Sequence, residues 1–223
     1  MDVLADNLAN ASTPGYKAER VQFSDWLSRQ ANSTITYPQD RATWREPQAG
    51  TLSHTGNTFD LAMTGNGWFT VNTPQGPRLT RDGRFGLLPS GSLADSAGNA
   101  VLDSNGQPIQ LSPTDTQISI AGDGTVSSEN GQLGKIGAVS VDPMQLAGEG
   151  GTLFRTTAPT TPVTAPGMVQ GAIEDSNVQP VLEMSRMMSS LRQYQFMSQF
   201  IQAEADRQQS AIDKLLPTGS AGS

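Results

Sequence analysis

MDVLADNLANASTPGYK, residues 1–17, is the stretch on which the fold turns. Met1, Leu4, Leu8 and Ala11 recur at intervals of three, four and three, which is one face of a helix. The helix must stop at Pro14-Gly15, because proline disfavours α geometry in the residue before it and glycine accepts positive φ. Met1 is already in phase with the stripe, which predicts further helical turns upstream of it.

The other end carries a second helical pattern. From Val181, Met184, Leu191, Ser198, Ala205 and Ile212 lie seven apart, as do Met187, Tyr194, Ile201, Gln208 and Leu215. Only Ser198 and Gln208 interrupt the apolar character, so this is a coiled-coil seam over five heptads. A helix of about 36 residues spans about 54 Å, longer than a compact β domain of this chain. The Leu4 and Leu8 stripe is too narrow to cover it, so part of the seam is expected to be buried against other molecules rather than left as an aggregation hazard. Met184, Met187, Met188 and Met197 read as core filler at helical spacing, in a core that other subunits complete. Pro217 and the TGSAGS tail end the helix.

Between these ends the period is two. Residues 56–151 hold 17 of the 23 glycines, which marks that segment as the turn-rich one. Phe59, Leu61 and Met63 alternate with small or polar residues, and Trp68-Phe69-Thr70-Val71 is a buried-strand run ended by Thr73-Pro74-Gln75-Gly76-Pro77. Asp82-Gly83, Asn105-Gly106, Asp123-Gly124 and Asn130-Gly131 are hairpin signals. Leu87-Leu88, Val101-Leu102, Ile118–Ile120 and Ile136–Val141 supply strands, so an antiparallel sandwich or partly closed barrel is expected. Residues 18–55 read as an extended connector with one strand, and Phe23, Trp26 and Leu27 as one further helical turn. Residues 156–167, TTAPTTPVTAPG, read as a linker or surface loop.

The fold class is therefore α+β: a discontinuous, coiled-coil-like helical domain drawn from both termini, plus a central antiparallel β domain. The expected divisions are 1–34 for the N-terminal helix and connector, 35–170 for the β domain, and 171–223 for the C-terminal assembly helix and tail.

Composition narrows the function. The 223 residues carry a net charge of −7, which argues against nucleic-acid binding by phosphate attraction and against a polybasic membrane anchor. No run of 18 apolar residues spans a membrane, and no cleavable leader is visible. Cysteine is absent, which rules out disulfide and thiol chemistry. His54, the only histidine, has no partner for a zinc site and reads as a surface or turn residue. Gly65-Asn66-Gly67 precedes a strand rather than a helix, so it is a poor phosphate cradle. Asp60, Asp82, Asp95, Asp103, Asp115 and Asp123 would be needed in pairs for glycoside hydrolysis, but Asp82, Asp103 and Asp123 sit where aspartate forms turns. No catalytic residue, cofactor or metal site is expected.

Four motifs, in order, resemble the flagellar basal-body rod and hook family of bacterial axial proteins. They are NLANASTPGYK at 7–17, FDLAMTGNGWFTV at 59–71, TRDGRF at 80–85 and EDSNVQPVLEM at 174–184. Residues 37–63 and the ending QQSAIDKLLP at 208–217 are most similar to the proximal-rod branch, with the distal rod and hook as near alternatives. The resemblance covers nearly the whole chain and marks Asn7, Asn10, Pro14 and Gly15 as the family's N-terminal motif. It implies a structural subunit of the rod, serving motility and performing no chemistry. Such a subunit would leave the cell through the flagellar type III export apparatus without a cleaved signal and fold on joining the periplasmic rod. It would join its own or homologous subunits through Leu4, Leu8, Met184, Met187, Leu191, Tyr194, Ile201, Ile212 and Leu215. The readings from other classes are a secreted carbohydrate-binding β domain with helical oligomerisation ends, and a secreted adhesin or tail-like fibre.

Overall fold

The computed structural model describes residues 1–30, 33–112 and 114–215; for residues 22–30, 33–42 and Leu215 it describes the backbone alone. The expected stop at Pro217 and the tail after it lie outside the described residues. The architecture is α+β: a helix at each end and a mostly antiparallel β body between them.

Helix α1 spans Asp2–Ala9. It closes where the Asn10 side chain donates back to the Asp6 carbonyl at 2.9 Å, and Gly15 takes a φ of 70° five residues later. The chain then enters strand β1 (Glu19–Gln30), which pairs with β2 (Ser33–Arg45) in one long antiparallel hairpin. This corrects two expectations. Phe23, Trp26 and Leu27 lie in a strand and not in a helical turn, and the connector holds two paired strands before residue 46. Val21, Thr34, Ile35, Thr36, Tyr37, Thr43 and Trp44 are β-branched or aromatic residues, the types that favour strands.

The chain enters and leaves the β body side by side. Strand β3 (Leu52–His54) pairs with Ala172–Glu174, and β4 (Leu61–Met63) pairs with Met168–Gln170. Both helices are thereby brought to the same end of the molecule, and α1 lies against the start of α2 (Pro180–Leu215). Proline opens α2 at a position where its missing N–H costs nothing.

The centre of the body is β5 (Trp68–Thr73), flanked by β6 (Gly76–Thr80) and by strand Ala100–Val101. Side chains alternate across a strand, and here both faces are covered. Phe69 and Val71 face the main core with Leu61, Met63, Phe85 and Ile136. Trp68 faces a second cluster with Leu79, Leu146 and Phe154. Edge-to-face ring pairs seal each side, Phe69 with Phe85 at 5.1 Å and Trp68 with Phe154 at 5.0 Å.

The Asx-Gly pairs divide by role. Asn130-Gly131 and Asp123-Gly124 turn neighbouring antiparallel strands, and Asn105-Gly106 closes the loop between the bridged residues Leu102 and Pro108. Asp82-Gly83 turns no hairpin. A Cβ on Gly83 would lie 1.6 Å from the Leu61 carbonyl oxygen, so this glycine permits a close crossing of two backbones.

Candidate functional site

The junction between the two helices and the body is held by buried polar side chains. Asn7, on the last turn of α1, is fully buried and spans one peptide edge. Its Nδ2 donates to the Glu19 carbonyl at 2.9 Å and its Oδ1 accepts from the Glu19 N–H at 2.8 Å. The same oxygen accepts the Tyr16 hydroxyl at 3.4 Å. Asn177, just before α2, works in the same way: Oδ1 accepts from the Ala18 N–H, and Nδ2 donates to the Glu46 and Gln48 carbonyls. The two asparagines thus tie the two helices to the backbone at Ala18–Glu19 and at Glu46–Gln48, where the β1–β2 ladder begins.

Beneath them lies a charged triad. Lys17 Nζ is 2.5 Å from Glu174 Oε1, and Arg81 is 3.5 Å from Glu174 Oε2. The Gly50 N–H also donates to Glu174, and Arg81 donates to the Met63 and Gly65 carbonyls. Burial pushes the Lys17 ammonium below its ordinary pKa, although Glu174 pulls the other way; Arg81 is lowered for the same reason. The Tyr16 phenol is raised, mainly by burial. A second group anchors α2: fully buried Glu183 accepts from Arg20 at 2.6 Å and Arg186 at 2.7 Å, and Arg20 also reaches Glu46. Burial works against the Arg20 charge, but the carboxylates of Glu183 and Glu46 raise its pKa overall.

The motif residues sit in this junction. Asn7, Pro14 and Gly15 are buried and Asn10 is half-buried. Leu4 and Leu8 on α1 and Met187 on α2 are half-buried near it. Met184 is exposed already in the second turn of α2, and beyond Met187 the apolar residues face solvent: Leu191 and Ile212 are exposed, Tyr194 is 74 % exposed and Ile201 64 %. The side chain of Leu215 lies outside the described residues.

Sequence reasoning missed Lys17, Arg81, Glu174, Asn177, Glu183 and Arg20. All but Arg20 fall inside the four quoted motifs, but nothing local says that Lys17 meets Glu174. It also missed Phe196 and Phe200, which are off the heptad positions and lie on another side of α2.

The other candidates resolve into structure. Asp95, Asp103 and Asp123 accept from backbone N–H groups two or four residues on, as turn caps. His54 is exposed on β3. Among the described residues there is no grouping of side chains suited to a metal ion and no helix long and apolar enough to cross a membrane.

Three segments match families of known proteins. Residues 1–17 match the flagella basal body rod protein family, residues 62–128 the flagellar hook protein FlgE/F/G D1 domain, and residues 169–214 the flagellar basal body rod FlgEFG protein C-terminal family. The chain is 36 % identical to the flagellar basal-body rod protein FlgF of Mesorhizobium japonicum and 34 % identical to that of Caulobacter vibrioides, covering 96 % of this chain and 91 % of each relative. It is 31 % identical to the flagellar basal-body rod protein FlgG of Bacillus subtilis, covering 90 % of this chain and 88 % of that protein. The first and last matched segments meet in the Lys17–Glu174 junction. The chain belongs to the flagellar basal-body rod protein family and is a structural subunit of that rod.

Proposed function

We propose that this subunit occupies the proximal rod and joins its neighbours through its terminal helices, without performing chemistry. Its partners are other rod proteins and further copies of related subunits, delivered by the flagellar type III export apparatus to the periplasmic rod for motility. The observation that carries this reading is the run of exposed apolar side chains on α2 (Met184, Leu191, Tyr194 and Ile201), emerging beside α1 from a buried polar junction. Such a stripe is costly in water and is relieved by packing against other helices. Similarity to relatives named FlgF favours the proximal position. Within this reading α1 and α2 form a discontinuous coiled-coil-like domain, with Leu4, Leu8, Met187, Ile212 and Leu215 continuing its contacts. The functional division we keep is 1–34 for the N-terminal helix and connector, 35–170 for the β domain and 171–223 for the assembly helix and tail, although the β1–β2 hairpin crosses the first boundary.

The test is the double substitution Leu191→Asp with Ile201→Asp, read by motility and by recovery in basal bodies. A carboxylate buried in an apolar interface costs several kcal/mol, about 3 or more. Both residues are solvent-exposed in the single chain, so melting of the isolated protein should hardly change. Normal motility would remove these residues from the interface.

A further inference from the structure

Helix α2 has a second apolar face. At about 100° per residue, Leu182, Phe196 and Phe200 fall within about 40° of one another, and about 180° round from the centre of the Met184, Leu191 and Tyr194 stripe. Phe196 is 67 % exposed and Phe200 60 %, with Met197 beside them also exposed. Among the described residues nothing covers this face. Glu183, the side chain that holds α2 to the body, leaves the helix about 100° away from it. A helix that is apolar on opposite sides is a helix buried on both. Packing along the first stripe alone would leave both phenylalanines in water.

The charges that flank the face identify what covers it. Arg186 and Glu204 leave the helix at the same angle and are eighteen residues apart, with Phe196 and Met197 near the midpoint. A parallel, in-register pair of such helices would set Arg186 against Arg186 and Glu204 against Glu204. Sliding the parallel pair until Arg186 met Glu204 would separate the phenylalanines of the two copies by about 27 Å. An antiparallel pair satisfies both demands. Arg186 then meets Glu204 at each end, and each Phe200 enters the space bounded by Arg186, Ser189, Ser190 and Gln193, where two serines leave room for a ring. Arg186 gives Nη1 to Glu183 and keeps other N–H groups for a partner. Glu204 receives Arg207 and Gln208 on Oε1 and keeps Oε2.

We propose that the Phe196–Phe200 face of α2 docks on the same face of a second copy of this chain, antiparallel, forming a soluble dimer of the unassembled subunit. The dimer face is centred on Phe200, about 180° from Leu191 and about 100° from Ile201, so Leu191→Asp separates the two readings.

Sedimentation of the full chain at micromolar concentration should find a dimer. Phe196→Ser with Phe200→Ser should yield a monomer of unchanged helix content, whereas Leu191→Asp should remain dimeric. Glu204→Arg should weaken dimerisation about tenfold, by placing like charges together, and adding Arg186→Glu should restore it. The chain has no cysteine, so single thiols report orientation cleanly. When Gln193→Cys and Met197→Cys chains are mixed, a short thiol cross-linker should join one to the other in preference to either with itself. A monomer at every concentration, or a dimer lost with Leu191→Asp and kept without the phenylalanines, would overturn the proposal. Selective coupling of Gln193→Cys to itself would overturn the antiparallel arrangement.

Discussion

Lys17 Nζ and Glu174 Oε1 lie 2.5 Å apart across 157 residues of chain, with both side chains at most 2 % exposed. This pair ties the segment after α1 to the strand that leads into α2. Gly15 N–H donates to the Glu174 carbonyl at 2.7 Å, so backbone and side chain of one residue hold the same loop.

Removing the acid should hurt more than removing the base. Glu174→Gln leaves Lys17 and Arg81 buried together without a carboxylate, and unpaired buried charge costs about 3–5 kcal/mol. Lys17→Met leaves Glu174 with Arg81 at 3.5 Å, so its cost should be smaller, about 2 kcal/mol. Urea unfolding of both variants measures this; equal or inverted losses would show that Arg81 does not stabilise Glu174.

Gly15 should tolerate no side chain. A Cβ there would lie 2.2 Å from the Asp82 nitrogen, at a backbone φ of 70° that L residues avoid. Gly98 has a φ of 84° but open space around it. We expect Gly15→Ala to cost about 3 kcal/mol or more and Gly98→Ala about 1 kcal/mol, since only the former adds a clash to the strain. Matching melting temperatures would contradict the close approach of the N-terminal motif to Asp82.

Acid should weaken the body through its turns. Hydrogen bonds from Thr116 and Gln117 hold the Glu129 carboxyl at about 2, against 4.5 for a free side chain. Hydrogen bonds from Thr125 and Lys135 hold Asp123 at about 2 as well. The native state binds these protons more weakly than the unfolded state, so the stabilisation is full above pH 4.5 and is lost as pH falls toward 2. Glu129→Gln with Asp123→Asn should flatten stability against pH in that window. An unchanged acid limb would assign it to other carboxylates.

Proteolysis should divide the chain within α2 and spare its N-terminal motif. Trypsin is expected to cut first at Arg192 and Arg207, on an exposed stretch of helix with no packed partner in the single chain. Residues 7–20 should stay with the β body through Asn7, Lys17 and Arg20. Amide exchange across 191–214 should be fast in dilute monomer and slow in the rod. Early loss of residues 7–20 would show that the junction opens independently of the body.

The sequence by itself determined what depends on neighbours along the chain. A period near three and a half marked α2, alternation marked β4, a continuous apolar run marked β5, and Asn130-Gly131 and Asp123-Gly124 marked real turns. The end of α1 was legible only to within a few residues: Pro14-Gly15 set an outer limit, whereas the helix closes at Ala9 with Asn10 as its cap. The family motif was legible as a pattern, but not its purpose. Asn7 and Asn177 look like ordinary turn residues until the structure shows each bridging backbone segments that lie far apart in sequence.

Tertiary structure alone decided the rest. Residues 19–45 have no strong local period, and their strand geometry comes from pairing with each other. Asp82-Gly83 carries the same hairpin signal as the other Asx-Gly pairs, yet it serves a backbone crossing because Leu61 lies against it. Lys17, Arg81 and Glu174 would be solvated anywhere on a surface; they are buried because β3 and β4 pair with the returning strands and close the chain over them. Local propensity depends on a few adjacent dihedrals, whereas a buried charge is tolerated only where distant segments converge to neutralise it.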